Sequence, residues 1–140
     1  MTNEETRGPG PATMADAVVA PDIRLVGLKA AGKEVAKNNG ASLIDLGDGI
    51  ACLELHTKMN AVDGDVVEMM NRALDLVRKD FDGLVVGNQA PDAFSAGANI
   101  FVMLMAAGQK QFAAIEQGSK ALQDALMALR YSDFPVVTAP

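Results

Sequence analysis

Cysteine is almost absent: Cys52 is the one cysteine in 140 residues. No disulfide can form within the chain, which fits a reducing compartment. A small apolar residue inside a strand is the expected role of Cys52. The one histidine, His56, lies four residues further on and reads as a strand-end or surface residue. Long hydrophobic runs are missing as well. No stretch approaches the ~20 apolar residues of a membrane span. The opening residues MTNEETRGPGPATMADAVVAP are acidic at the start and lack the charged-then-apolar order of a signal peptide. The expectation is a soluble, cytoplasmic protein. Positive charge is scarce too, with 12 Lys and Arg against 18 Asp and Glu. Residues 1–40 hold five of each sign, so 41–140, with seven bases and thirteen acids, carry the whole net charge of -6. No basic stripe is available to neutralise a phosphate backbone, and nucleic acid is not an expected partner. An anionic cofactor can still be held by backbone amides or single cations. No metal site is expected.

What is present is a core. Nearly half of the residues are apolar (49%), enough for one modest domain and too few residues for two. Residues 1–40 are expected to be a disordered leader and linker, with Ile23 to Asn39 a short strand or weak helix at most. The stretch SLIDLGDGIACLELHT reads as a β-hairpin: Leu43, Ile44 and Leu46 in one arm, Gly47-Asp48-Gly49 the turn, Ile50 to Leu55 the second arm. Asp63-Gly64-Asp65 opens a helix, with an Asp and, three residues on, Glu68 as a capping pair. Val66, Met69, Met70, Ala73, Leu74 and Val77 recur at helical spacing behind it. Leu84-Val85-Val86-Gly87 is a short continuous apolar run, as in a buried parallel strand. Strand, helix, strand makes a βαβ unit.

Ile100 to Ala107 is apolar on every side, which predicts a short buried helix stopped by Gly108. A longer amphipathic helix follows, with Phe112, Ile115, Leu122, Leu126 and Leu129 on one face and Glu116, Lys120, Asp124 and Arg130 largely opposite. Phe134 to Ala139 reads as another buried strand. It reaches Pro140 with no turn or polar tail, so the expectation is a domain cut short.

The segment that points to chemistry is Phe94-Ser95-Ala96-Gly97-Ala98-Asn99-Ile100. It is a turn of small residues leading into a helix, where backbone can approach a ligand closely. Ala98 and Asn99 fall at the start of that helix, where N–H groups lack intrahelical partners and face the positive end of the dipole. Developing negative charge on oxygen is stabilised there. The alternative is a tight turn that binds nothing. Elsewhere, Glu116 and Asp124 lie about 12 Å apart along one helix and suit exposed ion pairs, and Glu54, alternating with apolar strand neighbours, is expected to be solvated. The methionines at 69, 70, 103 and 105 read as adaptable core filler, with an acyl-chain lining the alternative for Met103 and Met105.

FSAGANI resembles the F-[SCA]-A-G-[AG]-[DN]-[IL] signature of the crotonase (enoyl-CoA hydratase/isomerase) family. Lys58-Met59-Asn60-Ala61 resembles the K-x-NA segment that precedes it there, and FPVVTAP the strand that follows. GASLIDLGDGIACLELHTKMNAVDGDVVEMM is similar to the crotonase portion of bifunctional proteins that place a 3-hydroxyacyl-CoA dehydrogenase before the hydratase, and IRLVGLKAAGKEV resembles their linker. The resemblance spans residues 41–140. It implies an α/β fold, a crotonase-like (ClpP/crotonase) spiral of ββα units, here incomplete.

It further implies a lyase of fatty-acid β-oxidation, an enoyl-CoA hydratase acting on an acyl-CoA thioester. The Ala98 N–H would be one of two oxyanion donors. Asn99, Ile100 and Phe101 would complete the substrate loop, Ala96 would lie against the adenine, and Lys58, Asn60 and Ala61 would flank the nucleotide or pantetheine. Asn99 stands where the family more often has Asp. No cofactor beyond the coenzyme A thioester is implied, and NAD would belong to a missing upstream domain. The second donor and the two catalytic glutamates of the family have no counterpart in 1–140, so this chain alone is expected to be inactive. A homo-oligomer is a further implication. The alternatives are a non-catalytic acyl-CoA-binding or assembly module of the same fold, and a relative with isomerase, dehalogenase or thioester hydrolase chemistry.

Overall fold

A computed structural model describes residues 22–140. The part of the expected disordered leader that falls on residues 1–21 lies outside the described residues. The elements run α1 (Leu25–Ala30), β1 (Glu34–Lys37), β2 (Ala41–Gly47), β3 (Ile50–Leu55), α2 (Gly64–Asp80), β4 (Gly83–Gly87), α3 (Ile100–Gly108), α4 (Phe112–Arg130) and β5 (Val136–Ala139). One five-stranded sheet holds them in the order β1-β2-β3-β4-β5. The first three strands are antiparallel neighbours, while β3, β4 and β5 run parallel.

The hairpin is built by its turn. Asp48 and Gly49 both take positive φ, 53° and 78°, as the two central residues of a type I′ turn must. That turn sets Leu43 opposite Leu53 and Ile44 opposite Cys52. Because strand side chains alternate, the two pairs face opposite sides of the sheet. Both sides are covered, which explains the nearly continuous apolar character of β2 and β3.

On one side lies α2. Its six predicted inward residues, Val66 to Val77, are all buried. They pack with Leu43, Leu53, Leu84, Ala125 and Leu129 in the main core. The cap differs from the predicted Asp65–Glu68 pair: the Oδ1 of Asp63 accepts from the Val66 N–H at 3.0 Å. The chain before β2 passes very close to this helix start. A Cβ on Gly40 would stand 3.0 Å from the Val66 backbone nitrogen and side chain, and Asn38 ties the contact by donating to the Asp65 carbonyl at 2.6 Å. Gly40→Ala should therefore lower stability by about 1–2 kcal/mol through overpacking, read from urea unfolding midpoints.

On the other side Leu25 and Leu28 of α1 pack on Ile44, Cys52, Leu46 and Val85. The packed unit thus includes α1 and β1, residues that the sequence reading placed in the linker before residue 41. Glu54 also departs from expectation. It is buried, and Lys29 of α1 reaches it at 2.6 Å; a carboxylate at that depth requires a cation, and sequence spacing gave no hint of one 25 residues away. Burial, with the Glu54 charge adding to it, pushes the Cys52 thiol up to about 11 from its ordinary 9.0. The sign follows: an unfolded chain ionises this thiol first, so the stability it lends is complete below pH 9 and is lost as pH rises towards 11. Cys52→Ala should abolish that alkaline loss in a pH series of unfolding midpoints.

The last three elements are where burial was misjudged. α3 forms with nearly the predicted bounds but has no buried residue, and Ile100, Phe101 and Leu104 are exposed. In α4 only Ala125 and Leu129 are buried, while Phe112 and Leu126 face out. Strand β5 pairs with β4 alone and is mostly exposed. Apolar composition drives burial only where another element supplies a face, and among the described residues the contacts with α2, β4 and one another leave most of these surfaces open.

Candidate functional site

The site is assembled where the chain leaves β3 and meets the loop after β4. Two successive residues, Met59 and Asn60, take the left-handed conformation with φ of 57° and 51°. Asparagine tolerates that region better than most side chains. Here Asn60 is also buried, and its Nδ2 donates to the Ala93 carbonyl at 2.9 Å. In return, Ser95 Oγ donates to the Asn60 carbonyl at 2.7 Å, and the Ala96 N–H donates to the Met59 carbonyl at 3.1 Å. Thr57 Oγ1 closes the turn by donating to the Ala61 carbonyl at 2.6 Å. Lys58–Ala61 and the 93–96 loop are therefore one stitched unit, although more than thirty residues separate them in sequence. Asn60 acts as its internal brace, and Lys58 and Ala96 are exposed on its surface.

The next residues run beside Val62 as a short parallel bridge between Val62 and Ala98. The Val62 N–H donates to the Gly97 carbonyl at 2.7 Å, and the Asn99 N–H donates to the Val62 carbonyl at 3.0 Å. Gly97 has φ 81°, which admits glycine without strain. In such a bridge the residues flanking the central one make the bonds, so the N–H of Ala98 is turned away from Val62. Among the described residues it has no hydrogen-bond partner. Of the two amides expected to be unpaired, Ala98 keeps that state and Asn99 loses it to Val62. Asn99 instead caps α3, its Oδ1 accepting from the Val102 N–H at 3.4 Å.

Ala98 and Asn99 stand on the wall of a cavity of about 660 Å³ between α2, α3 and α4. Phe101, Met103 and Met105 share that wall, whereas Ile100, Lys58, Ala61 and Ala96 do not. A second, more polar cavity of about 420 Å³ opens at the carboxyl ends of β3 and β4, lined by Arg24, Glu54, His56, Asn60, Asn88 and Gln89 among others. Ligands of open α/β sheets settle outside such strand ends. Two polar residues of this region escaped the sequence reading. Asn88 donates to the Phe94 carbonyl at 2.7 Å and accepts from the Ala90 N–H at 3.0 Å, shaping the loop that delivers Ala98. Gln89 accepts from the Leu25 N–H at 2.8 Å and donates to the Ile23 carbonyl at 2.6 Å, clasping the start of α1. A polar pair directly after a buried strand was the available signal.

The solved structures that this architecture matches are consistent in kind. An enoyl-CoA hydratase from Geobacillus kaustophilus HTA426 superposes with a TM-score of 0.62 at 24% identity, over 74% of this chain and 38% of that one. An enoyl-CoA hydratase from Polaromonas sp. JS666 gives 0.63 at 19% identity, over 71% and 39%. The chain has the crotonase fold. Within that fold, β2, β3 and α2 make a ββα unit whose strand β3 continues in parallel to β4 and β5, as expected from the sequence. By sequence, the chain is 41% identical over 118 residues to a protein of Bacillus subtilis (strain 168) described as "Probable 3-hydroxyacyl-CoA dehydrogenase". That alignment takes in 84% of this chain and 15% of the relative. The chain thus spans under a sixth of the curated relative and about two fifths of the crotonase-fold structures. No protein-family model matches it.

Proposed function

We propose that this chain is the amino-terminal part of a crotonase-family acyl-CoA enzyme, in which the Ala98 N–H receives the thioester oxygen as it gains negative charge. The observation that carries this reading is that one amide: unpartnered, turned outward by the Val62 bridge and set on the wall of the larger cavity. A backbone N–H fixed in advance stabilises a developing oxyanion without reorganising, and one such donor is worth on the order of 3–4 kcal/mol in a transition state. Lys58, Asn60, Ala61 and Ala96 would carry the coenzyme A portion along the stitched turn, with Asn60 acting from beneath. In this reading the reaction is hydration of a 2-enoyl-CoA, as in β-oxidation. The second oxyanion donor and the acid–base carboxylates come from outside residues 1–140, and a 3-hydroxyacyl-CoA dehydrogenase unit belongs to the same polypeptide. Of the carboxylates on the cavity wall, Asp63 is committed to capping α2 and Glu68 is exposed, which supports placing the acid and base elsewhere. Coenzyme A thioester is then the ligand, with no resident cofactor.

The test is calorimetric titration of the chain with crotonyl-CoA. Micromolar binding is expected, with no hydration above the uncatalysed rate. Ala98→Pro, which removes that N–H and puts a ring carbon in its place, should weaken binding at least roughly tenfold, the net worth of one hydrogen bond to a ground-state carbonyl, with the helix content seen by circular dichroism retained. Absence of binding by the unsubstituted chain, or equal binding by a folded Ala98→Pro, would overturn the assignment.

A further inference from the structure

We infer that Gln89 is a positioning residue for the Ala98 amide, and that α1, to which it is fastened, is thereby coupled to acyl-CoA binding. This inference rests on the acyl-CoA reading and extends it to how the site is held. Residues 88–99, between β4 and α3, form no helix or strand apart from the bridge at Ala98. A loop of that length keeps one position only where bonds fix it. Its far end is fixed by Asn60, Met59 and Val62. Its near end is fixed by Gln89, which uses both ends of its amide. Oε1 accepts from the Leu25 N–H at 2.8 Å, and Nε2 donates to the Ile23 carbonyl at 2.6 Å. Leu25 is the first residue of α1, where an N–H lacks an intrahelical partner, and Arg24 at the cap position offers it no side-chain bond. The cap comes instead from 64 residues away.

The clasp leads to Ala98 through bonded neighbours. Asn88 links Ala90 to Phe94 inside the loop, and Phe94 packs against the main core. Ser95 and Ala96 then join the Lys58–Ala61 turn, and Gly97 and Asn99 bond to Val62 on either side of the outward amide. A second observation brings the same parts together. The cavity of about 420 Å³ is lined by Arg24 and Val26 at the start of α1 and by Asn60, Asn88 and Gln89 of the site loops. Undocking α1 removes both the Gln89 bonds and part of that lining. Such motion is easiest in this element, because six residues are too few to stay helical alone. Apart from Gln89 it is held by Leu25, Leu28 and the Lys29–Glu54 pair, and local opening costs less than global unfolding. Coupling is reciprocal: if an open clasp weakens thioester binding, bound thioester closes the clasp by the same factor. Two neutral, partly exposed bonds set that factor at about fivefold, the low end of the usual range. The residues before Ile23 enter the domain through this clasp, so a unit placed there is joined to the amide by the same route.

Two measurements on the chain with crotonyl-CoA test this. By calorimetry, Gln89→Leu, which removes both bonds, should bind about fivefold more weakly. Gln89→Glu, which keeps an acceptor for Leu25 and loses the donor, should fall between. In the unsubstituted chain, saturating crotonyl-CoA should slow hydrogen exchange of the Leu25 N–H about fivefold, because that proton leaves only when the clasp opens. A purely structural Gln89 would lower the urea midpoint when replaced and leave ligand and exchange unlinked. If both folded variants bind as tightly as the unsubstituted chain, or Leu25 exchange ignores bound thioester, the coupling is refuted and the acyl-CoA reading stands. If the unsubstituted chain binds no crotonyl-CoA, that reading fails and the coupling falls with it. The exchange measurement needs no substitution, so a variant that does not fold leaves the proposal open to refutation.

Discussion

Leu53→Ala should lower the unfolding free energy by about 3–4 kcal/mol, the largest loss expected from any single truncation in this chain. Leu53 is fully buried in β3, opposite Leu43 across the hairpin and opposite Val86 in β4. It sits in the main core with Met69, Ala73 and Val77 of α2. A central strand flanked on both edges and roofed by a helix cannot collapse around a void, so the transfer and cavity terms add. Natural domains hold roughly 5–15 kcal/mol in total, and this one leaves much of α3 and α4 without cover. The variant should be partly unfolded at room temperature. A guanidinium titration followed by far-ultraviolet circular dichroism measures it, and a loss below about 1 kcal/mol would mean that β3 is not central.

The second large effect concerns charge. Lys29→Met should destabilise the chain by about 2–3 kcal/mol, while Lys29→Met combined with Glu54→Leu should restore most of that loss. Glu54 carries its carboxylate on the α1 side of the sheet, with a side chain 11% exposed, and Lys29, at 30%, is its cation. Removing the cation alone leaves a desolvated anion, whereas removing both leaves an apolar contact between α1 and β3. The figure is set below the 3–5 kcal/mol of fully buried pairs because Lys29 retains water. The same double cycle measures how firmly α1 belongs to the sheet, since Gln89 and Leu25 are its other anchors. Equal losses in the single and double variants would show that packing, and not charge, holds α1.

These expectations separate what can be read along the chain from what cannot. The hairpin turn, the inward stripe of α2 and the apolar run of β4 are local signals. Asp48-Gly49 can hardly be anything but a tight turn, and a 3.6-residue period allows one buried face. The same holds for the start of α3, where Gly97 and small neighbours mark a backbone that comes close to something. The failures share one cause. α3 is apolar throughout and was expected to be buried, yet burial needs a partner surface on every apolar side, and its contact with α4 leaves none of its residues fully buried. Glu54 alternates like a solvated residue, yet α1 folds over it and brings Lys29.

The chain's own order of residues determined the element types, the acidic balance and the turn that exposes backbone at Ala98, because each depends on neighbours a few positions away. Only the tertiary structure decided which amide stays free. Val62, thirty-six residues before Ala98, takes the N–H of Asn99 and turns that of Ala98 outward. A hydrogen bond between distant segments depends on how strands and loops stack in space, and no local pattern encodes it.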